Sequence, residues 1–282
     1  MIEKIFVFVF GACLGSFLNV CIYRLPQNMS ITKPFSFCPH CKKPIQWFDN
    51  IPIISYLVLK ARCRSCKGKI SFIYPLVELL GGLLLLFLYI RFSYSLNFFK
   101  FSFLFLLLIV LSFIDIEYHA IPGYLCFFGV MAGLCFAIYE PTMKMFMMQE
   151  NQDVLYVVED FYQAGYTFVK NLIFGFGFAY MFKFFSDMLL HFYLIWRKKD
   201  SIDGEKEALG LGDVDFMGMV GVFIGPQLVV VTFFLAPFIA LGYSLFALIT
   251  KRSHVVPYLP YLSMATFISF LWGKNLLQLF NI

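Results

Sequence analysis

Two pairs of cysteines and two distant aspartates are the residues of this chain whose types and spacing offer chemistry. Cys38-Pro-His-Cys41 and Cys63-Arg-Ser-Cys66 are C-x-x-C pairs with 21 residues between them, slightly longer than the commonest zinc-ribbon spacing. Each pair can present two thiolates at the tip of a tight turn. Four thiolates suit tetrahedral Zn²⁺ and leave no open coordination position, so the site they predict is structural. Such a complex carries a formal charge of about −2, and Lys42, Lys43, Arg62, Arg64 and Lys67 lie close in sequence to offset it. His40 could replace one cysteine as ligand, but four thiolates already suffice. Disulfides are the alternative use of these cysteines, and they are disfavoured if the segment faces the reducing cytoplasm.

The aspartates are Asp115, in "SFIDIEYHAIPGYL", and Asp213, in "ALGLGDVDFMG". Both stand at the edge of apolar runs, where charge is expensive and by default serves a purpose. Two carboxylates in contact cannot both ionise, so such a pair shares a proton near neutral pH. The ionised member then activates a water while the protonated member polarises a peptide carbonyl, which is aspartyl-peptidase chemistry. Gly210 and Gly212, without side chains, would let a substrate backbone come close to Asp213. Two other readings exist: solvated charges at helix ends, and a proton relay in a transporter. Lys183 and Asp187, four apart in an apolar run, read as a neutralising ion pair.

The elements that must position these residues are membrane helices. The sequence has 282 residues, of which 61% are hydrophobic and 14% charged, and its mean hydropathy is +0.80. That is too little polar surface for a soluble globule. Apolar runs near residues 5–22, 76–90, 98–114, 124–138, 168–195, 214–224, 228–249 and 258–272 predict an all-α integral membrane protein with about eight transmembrane helices. The shorter runs reach across only if flanking residues join the helix. The first run ends without a small-x-small cleavage pattern and is expected to be retained.

With eight spans, fifteen of the 22 Lys and Arg residues fall in odd-numbered loops. The positive-inside rule then puts those loops in the cytoplasm and both termini outside. The net charge of +5 reads as topology and contact with anionic lipid, with no reason to invoke nucleic acid. The expected organisation is a first helix over residues 1–24, a cytoplasmic zinc-binding module over 25–73, and a polytopic membrane domain over 74–282. The module is too small for a large core, and its cysteines are the candidate staple. No internal repeat is evident. Cys13, Cys21, Cys126 and Cys135 lie in apolar runs and are expected to pack as small hydrophobes. The acidic, Met-rich stretch over 140–165 is expected to lie as an amphipathic helix on the outer surface.

"GACLGSFLNVCIYRLP", the cysteine block from "CPHCKK" to "YPLVELLGG", "DIEYHAIP", "GLGDVDFMGMVGVFIG" and "VPYLPYLSMATFISFLWG" occur in that order. Together they resemble the bacterial type IV prepilin peptidases, G-x-G-D aspartyl proteases, in the bifunctional leader peptidase and N-methyltransferase branch. The resemblance covers somewhat more than half the chain and leaves out residues 139–206. It implies a peptidase of the bacterial inner membrane that cuts prepilins and pseudopilins, the substrates of type IV pili and type II secretion, at the cytoplasmic face. It further implies N-methylation of the new N-terminus from S-adenosylmethionine.

The resemblance makes Asp115 and Asp213 the catalytic pair and Cys38, Cys41, Cys63 and Cys66 the zinc tetrad. One departure is "GDVD", which puts Asp215 where the family usually has lysine, and a third carboxylate there would favour protonation of its neighbours. With Asp203, Glu205 and Glu207 just upstream, Asp215 would also attract a basic leader. Another is Ile73, where an arginine commonly precedes the Tyr-Pro. The rival readings are a presenilin-like intramembrane aspartyl protease, which lacks the cysteine module, and a proton-coupled transporter.

Overall fold

The computed structural model describes residues 1–33, 35–146, 154–197, 209–249 and 257–279. Among these the chain is all-helical, apart from two isolated bridges that pair Phe37 with Pro44 and Arg62 with Lys69. The helices are α1 (Ile2–Arg24), the short α2 (Ile54–Val58), α3 (Ile73–Phe92), α4 (Leu96–Tyr118), α5 (Gly123–Phe146), α6 (Val154–Arg197), α7 (Leu211–Ile224), α8 (Pro226–Ile249) and α9 (Leu259–Leu279). Each of the eight apolar runs has become one long helix. Six of these, α1, α3, α4, α5, α6 and α8, hold stretches long and apolar enough to cross a membrane. Their outward faces carry large apolar side chains such as Phe6, Phe127 and Phe184, as a lipid-facing surface requires.

Two helices depart in length from a simple span. α7 has 14 residues, hence a length of about 21 Å against roughly 30 Å of hydrocarbon. α6 has 44 residues and is about 66 Å long, more than twice that thickness. The amphipathic helix expected over 140–165 is not a separate element among the described residues. α5 continues to Phe146 and α6 begins at Val154, so the stretch is divided between them. Lys144 joins the two, 3.0 Å from Asp160 and 3.7 Å from Glu140.

The chain forms two compact units, Met1–Ala120 and Ile121–Ile282. In the first, α1 crosses α3 at glycines. A Cβ on Gly15 would stand 2.6 Å from the Glu78 Cα, and one on Gly11 would stand 2.6 Å from the Gly81 carbonyl oxygen. Lipid offers no hydrophobic drive between helices, so close van der Waals contact through small residues supplies the association. α4 packs on this pair with Leu104, Leu111 and Ile114 fully buried. Its start is capped by the Ser95 side chain, and its end is closed by His119 in the left-handed region, whose N–H donates to the Asp115 carbonyl.

The second unit repeats the device. α7 is enclosed by α5, α6, α8 and α9, and Phe216, Met217, Met219 and Val220 are almost wholly buried. Its crossing with α6 is again lined by glycine, since a Cβ on Gly175 would lie 2.7 Å from the Met217 carbonyl and one on Gly221 would lie 2.9 Å from that of Asn171. α7 ends at Gly225, whose φ of +83° suits glycine, and Pro226 opens α8.

Candidate functional site

The polar segment between α1 and α3 is tied to the helices at both ends. Arg24, 3% exposed, donates to the carbonyls of Ser30 and Phe35 and lays its guanidinium over the Phe37 ring. The Asn19 side chain donates to the Tyr74 carbonyl at 3.0 Å. Glu78, in the second turn of α3, reaches into the segment and accepts the Ile53 N–H at 2.7 Å. Ile53 has φ of +63°, a costly conformation for a β-branched residue that persists only where its surroundings impose it.

The segment folds around two knuckles of the same construction. The Cys38 N–H donates to the Lys43 carbonyl and the Lys42 N–H returns to Cys38; the Cys63 N–H donates to Gly68 and the Lys67 N–H returns to Cys63. Lys42 and Lys67 both have positive φ. The two C-x-x-C-Lys stretches therefore share one backbone hydrogen-bond pattern as well as one residue pattern.

The sulfurs of Cys38, Cys41, Cys63 and Cys66 all lie within 4.8 Å of one another, with 3.9 Å between those of Cys38 and Cys66. No disulfide joins them. Four thiolates at about 2.3 Å from a tetrahedral zinc would stand about 3.8 Å apart, so the donor set fits that ion. His40 is outside the cluster and packs its ring on Gly68. Backbone N–H groups of Cys66 and Ser65 aimed at the Cys63 sulfur draw its pKa down to about 6. The Gly68 N–H also lowers that of Cys66, but desolvation and the neighbouring sulfurs outweigh it and carry it up to about 11.

A bidentate pair braces the knuckles: Arg64 donates twice to Asp49, at 2.7 Å each, which holds the Asp49 carboxyl below its usual range. Where the segment meets the ends of α1, α3 and α4, it encloses a cavity of about 440 Å³. Of the other cysteines, Cys21 and Cys126 pack inside as expected, whereas Cys13 and Cys135 are exposed on their helices.

Each aspartate is a buried acid at a helix end. Asp115, in the first unit, is 7% exposed in the last turn of α4. Asp213, in the second, is 8% exposed in the first turn of α7, after Gly210 as N-cap. A Cβ on Gly210 would stand 3.5 Å from the Asp213 carboxylate, ordinary contact, but one on Gly212 would stand 2.7 Å from the Ile121 Cβ. Packing alone thus requires glycine at 212.

Lys183, 8% exposed on α6, makes the expected ion pair with Asp187 at 3.0 Å. Its ammonium also donates to the Leu209 carbonyl at 2.7 Å, just before the Gly210 cap. The carboxylate of Asp215 stands 3.3 Å from where a Cβ on Gly123 would be, against the first residue of α5. Asp203, Glu205 and Glu207 lie outside the described residues, as do Lys198, Lys199, Lys206, Lys251 and Arg252, which entered the orientation argument. Sequence reasoning missed Glu78 and the second partner of Lys183. An acid inside the first apolar turns of α3 was the available signal for the former.

Six helices able to span a bilayer, with a four-cysteine module between the first two, define a polytopic, all-helical membrane protein. Residues 9–92 match the Bacterial Peptidase A24 N-terminal domain, and residues 102–245 match the Type IV leader peptidase family. The chain belongs to the type IV leader peptidase family.

Several relatives carry the name prepilin leader peptidase/N-methyltransferase. That of Myxococcus xanthus is 41% identical over 133 residues, 47% of this chain and 40% of that protein. That of Klebsiella pneumoniae is 30% identical over 82% of this chain and 89% of the relative. That of Aeromonas salmonicida is 27% identical over 96% and 91%. No solved structure matches the chain.

Proposed function

We propose that this chain removes the leader from type IV prepilins and pseudopilins and then methylates the exposed N-terminal amine. The observation that carries the reading is the similarity to the Klebsiella and Aeromonas leader peptidase/N-methyltransferases over most of both chains. Family membership and the four-cysteine module separate it from a presenilin-like protease and from a proton-coupled transporter. The setting is the bacterial inner membrane, with both termini outside and residues 25–73 as a cytoplasmic module between a first helix, 1–24, and a membrane peptidase domain, 74–282.

Asp115 and Asp213 are the two carboxylates the cleavage requires, and their burial at helix ends supports that role. One, ionised, takes a proton from the attacking water; the other, protonated, polarises the scissile carbonyl and then returns a proton to the leaving amine. Gly210 leaves room beside Asp213 for an extended substrate backbone, whereas the space at Gly212 is taken by Ile121. Cys38, Cys41, Cys63 and Cys66 hold a structural zinc, which closes the module and takes no part in bond breaking. S-adenosylmethionine supplies an electrophilic methyl group: the amine nitrogen bonds to it, a neutral thioether leaves, and one proton is lost from nitrogen.

The test is cleavage of a purified prepilin by membranes containing the chain, with leader loss and methylation read by mass spectrometry. Wild-type chain is expected to produce both. Asp115→Asn and Asp213→Asn should each stop cleavage while the protein still inserts. Turnover by either purified variant would remove that aspartate from the reaction.

A further inference from the structure

The cavity beneath the cysteine module has a composition unlike the lipid-facing surface around it. Four tyrosines line it, Tyr23 from the end of α1, Tyr56 from α2, Tyr74 from the start of α3 and Tyr118 from the end of α4. Three carboxylates join them: Asp49, already held by Arg64, Glu78, buried and fixed by the Ile53 N–H, and Glu117, exposed at the α4 end. Exposed Lys43 and Lys69 complete the wall from the knuckles.

Aromatic faces beside carboxylates attract a cation of diffuse charge, as they do quaternary ammonium groups. Several cations of the module are already committed, Arg24 and Lys42 to the Phe37 ring and Arg64 to Asp49. The volume of about 440 Å³ lies within the range for small-molecule and cofactor sites. The strained Ile53 backbone, held between the lining residues Ile51 and Ser55, is a second mark of a functional wall, since such strain gathers at ligand sites.

We propose that this cavity is the methyl-donor site, binding an adenosyl sulfonium with a zwitterionic amino-acid tail. The inference rests on the methylation half of the proposed function and gives it a location. Tyrosine rings stack on the purine and face the sulfonium, Glu78 and Glu117 attract the positive groups, and Lys43 and Lys69 take the tail carboxylate. Cys38 and Cys63 also line the cavity, so the zinc cluster shapes its wall. That gives a structural metal a direct bearing on methylation without a place in the chemistry.

The experiment is equilibrium dialysis of detergent-solubilised, zinc-loaded full-length chain against labelled S-adenosylmethionine and, separately, S-adenosylhomocysteine, its uncharged-sulfur product. Zinc content reports that the module of each variant is folded. Wild type should prefer the sulfonium. Glu117→Gln should cut that preference by about fivefold with little effect on the thioether. Tyr56→Ala should weaken both ligands by about tenfold, and Tyr56→Phe should restore them. Unchanged binding in zinc-loaded Glu117→Gln and Tyr56→Ala overturns the location. So does a wild-type chain that cleaves prepilin and binds no donor, which leaves the peptidase reading standing. A zinc-loaded chain that neither cleaves nor binds overturns both.

Discussion

The ammonium of Lys183 on α6 donates to the carbonyl of Leu209 at 2.7 Å while it pairs with Asp187 at 3.0 Å. A buried side chain of α6 thereby holds the turn that leads through Gly210 into α7 and Asp213. A hydrogen bond from a charged donor contributes about 1.5–3 kcal/mol, enough to set the position of a short turn. Lys183→Met should lower kcat for prepilin cleavage by about tenfold to a hundredfold with KM little changed, and Lys183→Arg should recover part of the loss. A purely structural lysine would instead lower the amount of folded enzyme and leave kcat per folded molecule as it was.

Metal removal should expose the inequality of the thiols. In a module stripped of metal, Cys63, drawn down to about 6 by the N–H groups of Cys66 and Ser65, is mostly thiolate at pH 7, whereas Cys66, near 11, stays protonated. The thiolate is the nucleophile. Limiting iodoacetamide followed by peptide mapping should therefore label Cys63 first, with labelling that fades as the pH falls below about 6. Cys66 should react only in alkali. Equal labelling of the two at neutral pH would contradict the backbone geometry of the second knuckle, and zinc should protect both.

What the sequence made legible was what residue type and spacing encode. Eight apolar runs became eight long helices, and two C-x-x-C pairs became one cluster of sulfurs. What it hid was set by tertiary contact or by backbone alone. The two knuckles repeat through hydrogen bonds and through positive φ at Lys42 and Lys67, residues that lysine content alone does not distinguish. The partner of Lys183 is a backbone carbonyl 26 residues away, which no periodicity records. The length of α6 was hidden because the acidic, Met-rich stretch over 140–165 read as a separate surface helix, although α6 begins within it at Val154 and runs on to Arg197. The aspartates stand out in the sequence by their cost in apolar surroundings, and both are buried.

The glycine crossing of α1 and α3 should be intolerant of even one methyl group. At Gly15 the new Cβ would meet the Glu78 Cα at 2.6 Å, and backbone cannot swing aside as a side-chain tip can. Overpacking of this kind costs about 1–3 kcal/mol, and it would shift the Glu78 carboxylate from the Ile53 N–H. Gly15→Ala should thus lower the melting temperature in detergent and loosen the cysteine module, seen as faster zinc loss to a chelator. Gly165→Ala on α6, with nothing within 4 Å of the added carbon, is the control and should melt like wild type. Equal melting of the two variants would show that the helices slide apart at little cost.

Asp215 stands where the family resemblance leads one to expect lysine, and its carboxylate lies against Gly123, the first residue of α5. A helix N-terminus presents unpaired N–H groups and a positive partial charge, so an acid there stabilises by about 0.3–1 kcal/mol and a cation costs a similar amount. Asp215→Lys exchanges one for the other and should destabilise the chain by about 1–2 kcal/mol. Asp215→Asn should fall between the two, because it removes the charge but keeps an acceptor. Because Asp215 is only partly exposed, the gap between wild type and Asp215→Lys should narrow, without closing, in high salt. The folded fraction of Asp215→Lys should still cleave prepilin, since this carboxylate packs beside the first residue of α5. A variant that melts like wild type yet cleaves nothing at any pH would reverse the assignment and put Asp215 among the groups that carry the reaction.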